Sequence, residues 1–234
     1  MAGMGREIVY EGFLEVRDDG ASLAQLYDLQ GCFAYGRSPD EALISLVSRI
    51  PAYYAWLRRH DDYTPDVRGP FRVTPKEAAR VPALDGHAAG AFFAPDAAPI
   101  TDEDLDWSLA LLDWSYHDLT ALLASLPPGA LDAPLPNGQP LRALVDHIAQ
   151  TQIWLISRLE ARPTVPLISQ FPGSERDHLR QVWQASLSRL RAASDDERQH
   201  LLEHDGERWS LRKVLRRGIL HLREHTTDLE RMRQ

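Results

Sequence analysis

The chain has 234 residues, 44% of them hydrophobic, enough for one large domain or two small ones with real cores, and two domains are expected. A formal net charge of −8 and a pI near 5.6 would repel a phosphate backbone, so nucleic acid is not expected as a partner. The single cysteine, Cys32, excludes an internal disulfide and a cysteine-based zinc site, and no apolar run reaches signal-peptide or membrane-span length, which together predict a cytoplasmic protein with no membrane partner.

Residues 8 to 37 read as strands. "IVYEGFLEV", "ASLAQLYDL" and "CFAYGR" are rich in β-branched and aromatic residues and are separated by "RDDG" and "QG". Asp19-Gly20 is a hairpin signal. The period then changes: Ser38 as N-cap, Pro39 at the first helical position and Glu41 at the third predict a capping box opening a helix, which Pro51 should kink or split. In residues 61 to 100, "PFRV" and "AAGAFF" are candidate strands and "APDAAPIT" a linker, which puts the domain boundary near Pro99.

Four helical segments follow from Thr101, which caps the first, with Asp104 at its third position. Leu105, Leu109, Leu112, Tyr116, Leu119, Leu123 and Leu126 repeat at spacings of four and three, the pattern of a bundle seam. After "PPGALDAPLPNGQ", residues Leu141, Val145, Ile148, Gln152, Leu155 and Leu159 mark the second helix. "SERDHLRQVWQASLSRLRAA" makes the third and "SLRKVLRRGILHLREHTTDLERM" the fourth. The connection "RPTVPLISQFPG" could span roughly 40 Å when extended, longer than a helix of this size, and so could set the second and third helices parallel. The expected fold class is α+β: a small N-terminal antiparallel sheet with a packed helix over residues 1–99, then a four-helix bundle with a long crossover over residues 100–234.

On the fourth helix Leu211, Leu215, Gly218, Leu222, His225 and Leu229 share one face, with His221 on its flank. Residues four apart bring their Cβ atoms to about 5 to 6 Å, so His221 and His225 can reach one ion; a hydrogen-bonded pair at the core edge is the alternative. His221-Leu-Arg-Glu224-His225 also matches the H-x-x-E-H pattern of a zinc peptidase class. That assignment fails, because such enzymes take a further ligand well downstream and Glu224 points away from the apolar stripe. A third nitrogen must come from another helix, and His147 is the candidate, although it lies about 120° from the centre of its own helix's stripe.

"LRALVDHIAQTQIWLISRL" followed some 60 residues later by "WSLRKVLRRGILHLREHTTDL" resembles the DinB/YfiT-like family of metal-binding four-helix bundles, related to small-thiol-dependent S-transferases. The resemblance covers about residues 102 to 232. It rests on His147 followed seven residues on by the aromatic Trp154, and on the H-x-x-x-H of His221 and His225. It implies that His147, His221 and His225 are the metal ligands of a metal-dependent transferase or hydrolase acting on a small-molecule substrate or a low-molecular-weight thiol. Three imidazoles leave a tetrahedral ion one open position, as catalytic zinc sites do; zinc or nickel is the expected divalent metal ion, and iron would also suit. His117 matches no motif, and His60, His87, His178, His200 and His204 read as surface residues. Arg212, Lys213, Arg216, Arg217 and Arg223 form either a solvated face or a seat for an anionic substrate. Trp107 and Trp114 need cover, from the N-terminal domain or from a second subunit in a homodimer.

Residues 8 to 60 resemble the HicB-like antitoxin domain through Gly31 and Cys32 after a strand, Gly36, and Pro39, Asp40, Glu41 and Ala42 opening a helix. The resemblance implies a small sheet packed by a helix, with a protein partner reached through this domain. Residues 1 to 64 hold six Arg and ten Asp or Glu, which disfavours contact with RNA or DNA. Cys32 reads as a buried strand residue. The alternative function is a non-catalytic regulatory or protein-binding module on a helical scaffold.

Overall fold

A computed structural model describes residues 7–82, 90–135 and 138–232. The chain divides into two compact units, Met1–Pro95 and Asp96–Gln234.

The first unit is a four-stranded sheet with one long helix. Strands β1 (Ile8–Val16), β2 (Ser22–Leu26) and β3 (Phe33–Gly36) form an antiparallel meander, as the strand signals predict. Gly20, at φ 88°, closes the first turn, where the Arg17 N–H donates to the Ala21 carbonyl and the Gly20 N–H to that of Arg17. Helix α1 (Pro39–His60) then crosses to β4 (Phe71–Arg80), giving the order β3-β2-β1-β4.

To the expected antiparallel sheet β4 adds one parallel edge, pairing with β1, because a helix rather than a tight turn connects it. β4 also runs well past "PFRV" and contains Pro75. The strand tolerates it because β4 is an edge, where one row of N–H groups needs no partner, and because the register shifts beside it, Gly12 facing Pro75 and Phe13 facing Glu77. Cross-strand pairs Arg72–Glu7, Lys76–Glu11 and Arg80–Asp18 put charge along this edge, which discourages pairing with other chains.

The two sheet faces are covered differently. Helix α1 lies on one, burying Ala42, Leu46, Ile50, Tyr53 and Leu57, and the Tyr54 hydroxyl meets that of Tyr10 at 2.7 Å. On the other, Phe13 packs with Val81, Ala91 and Phe93, its ring edge-on to Tyr27 and Phe93. Residues 90–93 of "AAGAFF" thus serve as a cover, not the expected strand, and the rest of that stretch, with His87, lies outside the described residues.

The Ser38 hydroxyl accepts from the Glu41 N–H as expected of an N-cap. The Glu41 carboxylate, however, takes the N–H and guanidinium of Arg37 instead of closing a capping box on Ser38. Pro51 does not split α1, which is continuous from Pro39 to His60. Cys32 is buried immediately before β3.

The second unit holds four long helices: α2 (Asp102–Ala124), α3 (Leu141–Ser157), α4 (Glu175–Arg191) and α5 (Leu211–Met232). Thr101 caps α2 through the Asp104 N–H, and Ser174 and Asp177 form a full capping box on α4. The side-chain pairs fix the helix directions. Arg142 to Glu175, Asp146 to His178 and Glu160 to Arg189 rise together along α3 and α4, so these helices are parallel.

Asp104 with Arg212 and Leu112 beside Gly218 likewise make α2 and α5 parallel. Tyr116 stacked on Trp183, with Arg176 donating to the Leu123 carbonyl, makes α2 and α4 antiparallel. Gln152 beside Gly218 and His147 beside His221 do the same for α3 and α5.

The connection from α3 to α4 therefore returns along the bundle, as its length predicts. It is held by the Gln150 amide, which donates to the Pro166 carbonyl and accepts from the Ile168 N–H. A short hairpin of β5 (Leu202–His204) and β6 (Glu207–Trp209) precedes α5, with Asp205 and Gly206 at φ 55° and 79°. The Asp-Gly dipeptide signals this turn, but strands of three residues carry too little pattern to be read beforehand. Among the described residues no helix is long and apolar enough to cross a membrane.

Candidate metal centre

His221 and His225 occupy successive turns of α5, and His147 reaches them from antiparallel α3. The His147 and His221 Nε2 atoms are 3.2 Å apart, those of His221 and His225 3.0 Å, and one ligand atom from each ring lies within 4.8 Å of the others. The rings stand nearly edge to face, at 62° to 89°. His221 is buried, and His147 and His225 are half-buried.

His147 reaches this point because the edge of its helix's apolar stripe meets α5. The 120° offset marks the seam with a second neighbour, not exposure to solvent.

The spacing fits a shared ion. Bonds of about 2.0 to 2.1 Å at tetrahedral angles place ligand nitrogens about 3.3 Å apart, close to the two separations found. Hydrogen bonding fits less well. An imidazole nitrogen has one in-plane direction, carrying either a proton or a lone pair, so the His221 Nε2 cannot bond well to two nitrogens at once. One cation between the three lone pairs resolves that conflict. Glu224 does not belong to the cluster.

Of the basic residues read on α5, Arg212, Lys213, Arg216 and Arg217 do not form the solvated face that their run suggests. Arg212 donates to the Ala98 and Pro99 carbonyls and pairs with Asp104, whose carboxyl it holds below the usual range. Arg216 is buried in a two-point pair with Asp96, Nε to Oδ1 at 3.1 Å and Nη2 to Oδ2 at 2.7 Å. The buried Lys213 ammonium lies 4.0 Å above the Trp209 ring, and loss of hydration pushes it down to about 8, helped by the Arg216 charge. Arg217 is also buried. Lys213 and Arg216 face in because the folded unit supplies partners that spacing along one helix does not reveal.

Trp154 belongs to the same inner lattice, edge-on to Trp209 at 5.2 Å and under the Arg158 guanidinium at 5.0 Å. Trp107 and Trp114 stand edge to face at 5.6 Å, and Trp107 remains 38% exposed.

Among the other histidines, the surface assignment of His178 is corrected. It is buried on α4, its Nδ1 3.4 Å from the Asp146 carboxylate. Local spacing could not show this pair, because the crossover that makes α3 and α4 parallel creates it. His200 is exposed, His60 is half-buried, and His204 is half-buried with its Nε2 3.1 Å from the Arg158 carbonyl. His117 is exposed and contacts the Asp113 carbonyl one turn back.

The DinB superfamily model matches residues 111–229, just over half of the chain. A solved structure described as "YfiT from Bacillus subtilis is a probable metal-dependent hydrolase with an unusual four-helix bundle topology" is 20% identical, with a TM-score of 0.42, over 57% of this chain and 90% of that one. No curated protein matches the chain. The family match spans α3, α4 and most of α5, with all three clustered histidines inside it, and the chain belongs to the DinB superfamily.

Proposed function

We propose that His147, His221 and His225 hold one divalent metal ion, zinc or nickel, and that the bundle is a metal-dependent enzyme. It would act on a small-molecule substrate with water or a low-molecular-weight thiol as nucleophile, in hydrolysis or S-transfer. The observation that carries this reading is the convergence of three Nε2 atoms, one of them in contact with both others.

When bound, such an ion lowers the pKa of a water or thiol at its open position and so supplies a nucleophile at neutral pH. The chain's own contribution is orientation. α5 fixes two rings one turn apart, α3 brings the third from the antiparallel direction, and burial of His221 keeps water from competing for its nitrogen. Half-buried His147 and His225 leave a substrate its approach from the outer side.

Metal analysis tests the proposal. Wild-type protein should carry close to one equivalent of metal and the His225→Ala variant should carry little, with the helix content of both unchanged. Metal-free wild type with an intact fold would sink it.

We also infer a role in protein binding for the first unit. A sheet packed by one helix, preceded by the Gly31–Cys32 turn and opened at Pro39, agrees with a HicB-like module. Its acidic balance favours a protein partner over a nucleic acid. In a metal-free protein this would be the leading role, with the bundle as scaffold.

A further inference from the structure

One turn beyond His147 on α3, Thr151 is 1% exposed, and its hydroxyl has no hydrogen-bond partner among the described residues. Buried threonines on helices ordinarily return the hydroxyl to the carbonyl four residues back. Thr120, Thr226 and Thr227 all do so here, to Tyr116, Leu222 and Arg223. Thr151 does not take the same bond to His147.

A buried hydroxyl left without a partner loses its hydration without compensation, so a group that is retained in this state calls for an occupant. The neighbouring Gln152 Oε1 is also buried without a partner and lies on the α5 side, 3.6 Å from where a Gly218 Cβ would stand.

Residues four apart on a helix project the same way, with Cβ atoms about 5 to 6 Å apart. Thr151 therefore follows His147 toward α5, on the side of His147 nearer the apolar stripe. We propose that Thr151 is a positioning residue whose hydroxyl hydrogen-bonds the water or thiol presented beside the three histidines from the interior of the bundle. This rests on the metal reading above. A hydroxyl suits both nucleophiles, because it can accept from the protonated form and donate to the deprotonated one.

The test uses full-length Thr151→Val, Thr151→Ala and Thr151→Ser proteins, with zinc affinity measured by chelator competition and the visible absorption of the cobalt-loaded forms. Outer-shell partners of metal sites typically contribute 10- to 100-fold in metal affinity. Thr151→Val and Thr151→Ala should bind zinc about ten-fold more weakly and shift the cobalt bands, while the metal-free Thr151→Val protein melts at or above the wild-type temperature. Thr151→Ser should restore affinity and spectrum.

Unchanged affinity and bands in Thr151→Val would overturn the inference. So would loss of metal accompanied by lower metal-free melting temperatures in both Thr151→Val and Thr151→Ala, which would assign the residue to packing. Failure of the wild type to bind zinc or cobalt at all would instead bring down the metal site itself, and this role with it.

Discussion

Removing the Asp96 carboxylate gives the sharpest view of what holds the second unit together. Asp96 is 0% exposed and Arg216 3%, and the two meet through a pair of parallel hydrogen bonds. Asp96→Ala would leave a guanidinium buried without its counter-charge, which typically costs 3 to 5 kcal/mol. At about 2 to 4 °C per kcal/mol for a unit near this size, the melting temperature should fall by roughly 10 to 15 °C.

Replacing both partners should be far milder. Asp96→Ala with Arg216→Met removes two desolvation costs together with their attraction, and stability should return to within about 1 kcal/mol of wild type. Urea unfolding of the wild type, the Asp96→Ala and Arg216→Met single variants and the double variant gives the coupling directly. If the Asp96 variant lies within about 0.5 kcal/mol of wild type, or if the double variant is no better than the single one, the pair is not the internal clamp described here.

Lys213 supplies a pH test. Its folded-state pKa lies near 8 against an ordinary value of 10.5, so between these values the unfolded chain binds more protons and stability must rise with pH. The full span corresponds to about 3 kcal/mol, and Lys213→Met should remove the slope in that window and be more stable than wild type at pH 7; an unchanged slope would count against a desolvated ammonium. In the first unit, a Cβ on Gly36 would stand 2.8 Å from the Ala42 Cα, where neither backbone can yield cheaply. Gly36→Ala should cost at least about 1 to 3 kcal/mol of stability, and an unperturbed melt would show that β3 does not press on the start of α1 as closely as described.

The sequence by itself determined the long helices and the three-stranded meander. Ser38-Pro39, Thr101 and Ser174 mark where helices begin, the leucine spacing of residues 105 to 123 marks the seam of α2, and the β-branched and aromatic runs of residues 8 to 36, parted by Asp19-Gly20, mark the meander. These are local signals, carried by residues within a few positions of one another. Even the parallel run of α3 and α4 was legible, because the length of the connection fixes how far it can return. His221 and His225 were legible as a pair for the same reason.

Tertiary structure decided the rest. The parallel pairing of β4 depends on where α1 delivers the chain, and the inward turn of Lys213 and Arg216 on partners that lie on other segments. The Asp146–His178 pair exists only because two helices run side by side. His147 shows the division most plainly: on its own helix it sits off the apolar stripe, and only an antiparallel neighbour placed against that edge turns it toward the other two imidazoles. A helix's period states which residues share a face, but not which element the face will meet, and the candidate site is built from that meeting.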